Sequence, residues 1–262
     1  MEPGNSPEPA TATASLTFAG HSTFLIELGG RRLLTDPLLR DRLLLVLRRH
    51  RGLSRDALGR VDGVLVSHLH QDHLDLPSLR KIGKSVPIVI APGGARILER
   101  RGFDRVTELS DGEAAEVGGI RVTATEARHI GGRYFGYGRG GVGGYLIDGP
   151  PRIYFAGDTE LFDEMAELRG RVDVAVVPIW VWGPWLRGGH LDPEDAARAL
   201  AAIGPRIAVP MHWGTLGPMG ATRIWPWMFE RPAREFAAHA RRLAPEVDVR
   251  VLAPGESTTL DI

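Results

Sequence analysis

The stretch 65-LVSHLHQDHLD-75 constrains this chain more than any other. Four side chains able to bind a metal, His68, His70, Asp72 and His73, fall within six residues, directly after the apolar run 61-VDGVLV-66. In an extended chain residues i and i+2 point the same way, so His68 and His70 can converge on one ion. Asp72 and His73 are adjacent and need a turn to join them. A strand ending at His68 and a helix starting near Leu76 would supply that turn and aim the second pair at a different point. Left unpaired, such groups would cost roughly several kcal/mol to bury. Ligands split two and two suggest two metal ions.

Two ions need further ligands, and the chain offers them where other β-type runs end. His129 follows 120-IRVTATEAR-128, Asp158 follows 152-RIYFAG-157, and His212 follows 206-RIAVPM-211. Each could reach a shared cleft from a loop. There is no cysteine. Thiolate sites and disulfides are excluded, and any metal must sit on His and carboxylate.

From residue 16 onward, runs rich in Val, Ile, Thr and Phe, bounded by Gly, Pro and Asp, alternate with helix-type runs. The strand runs begin at 16–20, 23–28 and 31–36. They continue at 61–68, 87–91, 120–127, 144–148, 152–157, 172–179, 206–212 and 247–253. Helices are expected at 76–83, 94–102, 161–170, 192–204 and 231–244. The sharpest opens at Asp192, which can cap it, with Pro193 in its first turn and Gly204 at its end. Sheets covered by outer helices follow from this pattern. One domain over 16–262 is expected, preceded by a disordered tail at 1–15 that is rich in Pro, Ser, Thr and Gly. The tail lacks the basic start and apolar core of a signal peptide. No apolar run reaches the roughly 20 residues of a membrane span. A cytoplasmic protein is the expectation. Lys and Arg balance Asp and Glu at 32 each, which disfavours a nucleic-acid surface.

HLHQDHLD, then a later His, then FAGDT and MHWGT, in that order, resemble the metallo-β-lactamase superfamily. The segments 20-GHSTFLIELGGRRLLTDPLL-39, 155-FAGDTELFDEM-165, 189-GHLDPEDAARA-199 and 211-MHWGT-215 are similar to the branch of the N-acylphosphatidylethanolamine-hydrolysing phospholipase D. The ascorbate-6-phosphate lactonases share the opening segment. This resemblance implies an αββα sandwich of two mixed sheets flanked by helices. It implies that His68, His70 and His129 bind a first metal and Asp72, His73 and His212 a second, with Asp158 bridging. Two divalent ions are implied, zinc first and manganese or iron as alternatives. A hydroxide bridging the ions would be the nucleophile of a phosphodiesterase acting on a small-molecule or lipid-like substrate. A lactonase or carboxylic-ester hydrolase is the rival enzyme, and a non-catalytic metal-binding module stands further off.

Other residues carry two readings each. Asp72 could orient the nucleophile as well as ligate. His190, just before the capped helix, could protonate the leaving group or orient its loop. His21 could hold a ligand in place or be a buried hairpin histidine. Asp36 could shape a turn or support the ligand loop. Trp180, Trp182 and Trp185 could line an apolar substrate pocket or simply pack. The glycines of 131–144 could let backbone approach a ligand or form a lid. The Leu/Arg run at 38–50 reads as a helix covering a sheet, with a lipid-touching rim as the alternative. His50 and His239, in arginine-rich settings, read as surface residues.

Overall fold

The computed structural model describes residues 14–43, 46–48, 53, 55–129, 132–133, 137–139, 141–181 and 189–262. Two seven-stranded mixed sheets face each other. The first runs, in spatial order, Ser257–Thr259, Ser15–Gly20, Thr23–Leu28, Arg31–Thr35, Gly63–Val66, Ile88–Ile90 and Val106–Glu108. Its early members pair as antiparallel hairpins, and from Arg31–Thr35 onward the pairing is parallel. The second runs Asp248–Val249, Ile207–Met211, Val174–Pro178, Ile153–Phe155, Gly144–Ile147, Ile120–Thr125 and Ala114–Val117.

Gly63–Val66 shows how the layers form. All four residues are buried. Alternation sends Leu65 into the core between the sheets and Val64 and Val66 into a second core under the helices Leu76–Ile82 and Ala95–Glu99. On the other side, Pro193–Ile203 lies against Arg231–Leu243 and buries Ala196, Ala197, Leu200 and Ile203 on the second sheet. The caps are those the local sequence requires. Asp192 accepts hydrogen bonds from the N–H groups of Glu194 and Asp195 at 2.9 Å each, and Gly204 closes the helix at φ +65°.

The 38–50 expectation needs correction. Its described residues hold two short strands and no helix. Arg42–Leu43 and Val46–Arg48 form a hairpin whose outer partner is Leu216–Pro218. A pairing with residues so distant in the chain overrides the local leaning of a Leu-rich run. The 161–170 run forms a 3₁₀ helix at Asp163–Leu168. Strands at Val106–Glu108, Ala114–Val117 and Ser257–Thr259 were not anticipated. Ala14 is already buried and Ser15 pairs with Thr259, so the ordered fold reaches into the segment expected to be tail. His50, Trp182 and Trp185 lie outside the described residues, as do residues 1–13 and, within the 131–144 glycine stretch, residues 131, 134–136 and 140. No helix among the described residues is long and apolar enough to cross a membrane.

Candidate metal centre

Parallel strands of both sheets end on one rim. Gly63–Val66 leads to His68, Ile153–Phe155 to Asp158, and Ile207–Met211 to His212. Polar groups gather at such carboxyl ends because the backbone there stops pairing and turns outward. Seven of the nine histidines, with Asp72 and Asp158, come together there.

The first group is His68, His70 and His129. His68 Nε2 lies 2.9 Å from His70 Nδ1, and His129 Nε2 lies 3.2 Å from the same atom. His68 and His70 converge, but through a turn rather than an extended chain, since 69–73 leave the strand. The second group is Asp72, His73 and His212, joined by His21. Asp158 stands between the groups. Its Oδ2 lies 3.2 Å from His73 Nε2, 3.2 Å from His212 Nε2 and 3.7 Å from His68 Nε2.

The far nitrogen of each ring sets its tautomer. Ser67 donates its hydroxyl to Asp36 Oδ2 at 2.7 Å, so at the 3.0 Å contact with His68 the Nδ1–H must donate to Ser67 Oγ. His73 donates Nδ1–H to Asp36 Oδ2 at 2.7 Å. His212 donates Nδ1–H to the Trp180 carbonyl at 2.7 Å, and His129 donates its own to the Gly189 carbonyl. Four rings are thereby turned with Nε2 inward. An orienting partner behind each imidazole is the usual support of a metal ligand.

Asp36, expected to shape a turn or support the ligand loop, does both. It sits at φ +34° and also takes the Ser67 N–H on Oδ1 at 2.7 Å. His21, at φ +60°, donates Nε2–H to Asp72 Oδ2 at 2.9 Å, and its carbonyl receives the His212 N–H. Gly157, at φ +63°, precedes Asp158 where a Cβ would meet Gly143 O and Ser67 Cβ, each at 2.8 Å. Only glycine lets this turn lie so close to the histidine-bearing loop.

His190 places Nε2 3.1 Å from Asp158 Oδ2. Trp180 contributes its carbonyl, while its half-buried ring packs against Met228 and Phe229. His239 lies on Arg231–Leu243, away from the centre. Glu160, which sequence reasoning missed, accepts the Gly189 N–H and so fixes the loop that faces His129 and carries His190.

Burial and charge act in opposite directions here. Burial alone would raise the carboxyls of Asp72 and Asp158, but the surrounding imidazoles, His73 foremost for Asp72 and His212 for Asp158, hold both well below the usual range. Burial would lower His73 and His212, yet the carboxylates around them, Asp158 foremost, hold both above the usual imidazole value. Burial, reinforced by His212, takes His21 down to about 3. Burial takes His190 down to about 4.

These residues fit metal ions. His73 Nε2, His212 Nε2 and Asp158 Oδ1 are buried without a hydrogen-bond partner, an expensive arrangement that cations between them would satisfy. Nitrogen ligands about 2.0–2.1 Å from one tetrahedral zinc stand roughly 3.3 Å apart. The 2.9 and 3.2 Å separations in the first group are close to that.

The chain belongs to the beta-lactamase superfamily: the model of the beta-lactamase superfamily domain matches residues 31–213. It sits among that superfamily's metal-dependent hydrolases. A UPF0173 metal-dependent hydrolase of Nitratidesulfovibrio vulgaris is 32% identical over 268 residues, covering 94% of this chain and 95% of the relative. The solved structure of Igni18, a metallo hydrolase from Ignicoccus hospitalis, is 26% identical at a TM-score of 0.73, covering 95% of this chain and 99% of that one. A metallo-β-lactamase fold protein from Bacillus subtilis superposes with a TM-score of 0.66 at 14% identity, covering 95% and 99%, and shares the fold. The αββα sandwich is thus the metallo-β-lactamase fold.

Proposed function

We propose that this protein is a dinuclear metal-dependent hydrolase that cleaves phosphodiesters, of the phospholipase D-like kind, with a lipid-like substrate. The observation that carries the reading is Asp158. One carboxylate oxygen stands within 3.7 Å of ring nitrogens from both histidine groups, which is the place of a bridging ligand. His68, His70 and His129 would hold one ion and Asp72, His73 and His212 the other. The all-oxygen-and-imidazole donor set suits zinc first and admits manganese or iron. When bound, a pair of such ions lowers the pKa of water to near neutrality and offsets negative charge gathering on substrate oxygens.

The remaining work falls to side chains. Asp72, steadied by His21, orients the attacking water. Asp36 and Ser67 keep the ring nitrogens of His73 and His68 aimed inward. His190 is neutral at pH 7 and carries one N–H, on the Nε2 that faces Asp158 Oδ2; with that oxygen engaged by the ions, the N–H would be free to serve the leaving oxygen as a hydrogen-bond donor. The similarity of 189-GHLDPEDAARA-199 and 211-MHWGT-215 to the phospholipase D branch supports the lipid-like substrate class.

The test is a panel of alkyl and nitrophenyl phosphodiesters, phospholipids and lactones, assayed with zinc, manganese and iron. Hydrolysis of the phosphodiesters is expected. Opening of lactones with no turnover of any phosphodiester would replace this reading with that of a carboxylic-ester hydrolase.

A further inference from the structure

His129 is held differently from the other oriented rings. Behind His68 and His73 stand the buried Ser67 and Asp36. Behind His212 stands the Trp180 carbonyl, which follows the strand Val174–Pro178 and is steadied by the Ile179 N–H on the Met211 carbonyl at 3.1 Å. The partner of His129 is instead the carbonyl of Gly189, in the loop before the Asp192 cap. Gly189 sits at φ +74°. With no Cβ to restrict it, glycine has little intrinsic preference that would keep its carbonyl aimed at a ring. A group outside the glycine must do so. Among the described residues, the group that grips its backbone N–H is the Glu160 carboxylate.

Glu160 is itself fastened to the chain beside His129. Its N–H donates to the Arg128 carbonyl at 2.8 Å, and the Arg128 N–H donates to Thr159 Oγ1 at 3.0 Å. Thr159 is fully buried, so this latch has a fixed base. The bonds close a circuit. It runs along the chain from Arg128 to His129, from the His129 ring to the Gly189 carbonyl, from the Gly189 N–H to the Glu160 side chain, and from the Glu160 N–H back to Arg128. Glu160 also lies just past Asp158, so the loop that brings the central carboxylate brings the clamp for His129 as well. The Glu160 side chain is exposed, and core packing does not account for its place. The second group has other supports. Asp72, His73 and His212 lean on His21, Asp36 and the Trp180 carbonyl, none of which belongs to the circuit.

We propose that Glu160 is a positioning residue: acting through Gly189, it holds the His129 ring in place and so sets the affinity of the first ion but not that of the second. Without the carboxylate the glycine is free to rotate, and the ordering of its loop becomes a cost met only when the ion binds. This role rests on the proposed ligand groups and goes beyond them, since Glu160 touches neither ion nor substrate.

The experiment is zinc titration of the full chain in competition with a chelator, resolved into the affinities of the two ions. His129→Ala should remove the first ion and so identify its step. Glu160→Ala should weaken that step about tenfold, the lower end for losing a partner behind a metal-bound imidazole, and leave the other step unchanged. Glu160→Gln keeps an acceptor oxygen at the same reach and should regain most of the loss. In the metal-free protein the Gly189 amide hydrogen should exchange faster in Glu160→Ala than in the wild type. Glu160→Asp, too short to reach Gly189, gives the same comparison should the alanine variant fail to fold. Three results would overturn the proposal. If His129→Ala removes an ion while Glu160→Ala binds both as the wild type does, the ligand groups stand and the positioning role falls. If the loss in Glu160→Ala falls on both ions alike, or persists undiminished in Glu160→Gln, charge near the centre and not position is responsible. If His129→Ala keeps both ions at wild-type affinity, the first ligand group is wrong and the role of Glu160 falls with it.

Discussion

Asp36 and His73 meet at 2.7 Å with neither side chain exposed to solvent. The same Asp36 oxygen takes the Ser67 hydroxyl, which in turn receives Nδ1–H of His68. One buried carboxylate therefore orients one ring in each histidine group. Asp36→Asn keeps the shape but replaces an acceptor oxygen with an amide that faces two donors. The expected result is a loss of metal affinity of about 10–100-fold, with destabilisation of about 3–5 kcal/mol for a broken buried pair. Metal titration and urea melts check both numbers. Wild-type affinity in the variant would mean that His73 needs no carboxylate behind it.

Metal content tests the centre as a whole. Purified protein reconstituted with zinc should hold close to two ions per chain by elemental analysis. Asp158→Asn should lower occupancy of both groups together and cut activity by orders of magnitude, because its carboxylate faces both. Retention of two ions and most activity would remove Asp158 as the bridge.

The stability of the metal-free protein should peak near pH 6.5, and each flank has its own residues. His21 and His190 have folded values of about 3 and about 4 against 6.5 for a free imidazole. Below 6.5 the unfolded chain binds more protons at these two positions, so stability falls as pH falls. His73 and His212 are shifted the other way. The stability they contribute is complete below 6.5 and is lost as pH rises through their raised folded values. Those same protons must leave when metal binds, so zinc affinity should climb with pH above 6.5. Melts in chelator across pH 4–9 measure the first effect and titrations the second. His190→Gln should flatten the acid flank only.

His190 should reveal itself through the leaving group. An alkoxide leaves poorly and gains from a hydrogen-bond donor, whereas nitrophenolate needs little help. His190→Ala is expected to slow alkyl phosphodiesters about 10²-fold or more, to slow nitrophenyl ones far less, and to leave metal content unchanged. Equal losses on both substrates would make it a residue that only positions Asp158.

Much of the centre can be read from residue order, because His68, Asp158 and His212 each follow an apolar run that ends as a strand. The apolar runs 61-VDGVLV-66 and 206-RIAVPM-211 signal the strands, and the polar residue after each signals the rim. The atoms that turn the rings are a different matter. The carbonyls of Trp180 and Gly189 orient His212 and His129, and a backbone carbonyl has no residue identity to recognise. Glu160 acts through the Gly189 amide and is equally hidden. The error at 38–50 has another origin. Leucine suits helix and strand alike, and the pairing partner, 216-LGP-218, contains two residues that strands usually avoid. Local propensity could not have suggested that pairing.

The link from the His212 amide to the His21 carbonyl joins residues near the two ends of the fold. During synthesis the chain grows from one end, and His21 must wait for 191 further residues before its partner exists. A ribosome-bound fragment, or a chain cut short before 212, lacks both that link and a ligand from the second histidine group. Assembly of the whole histidine cluster is thus confined to chains that extend past residue 212.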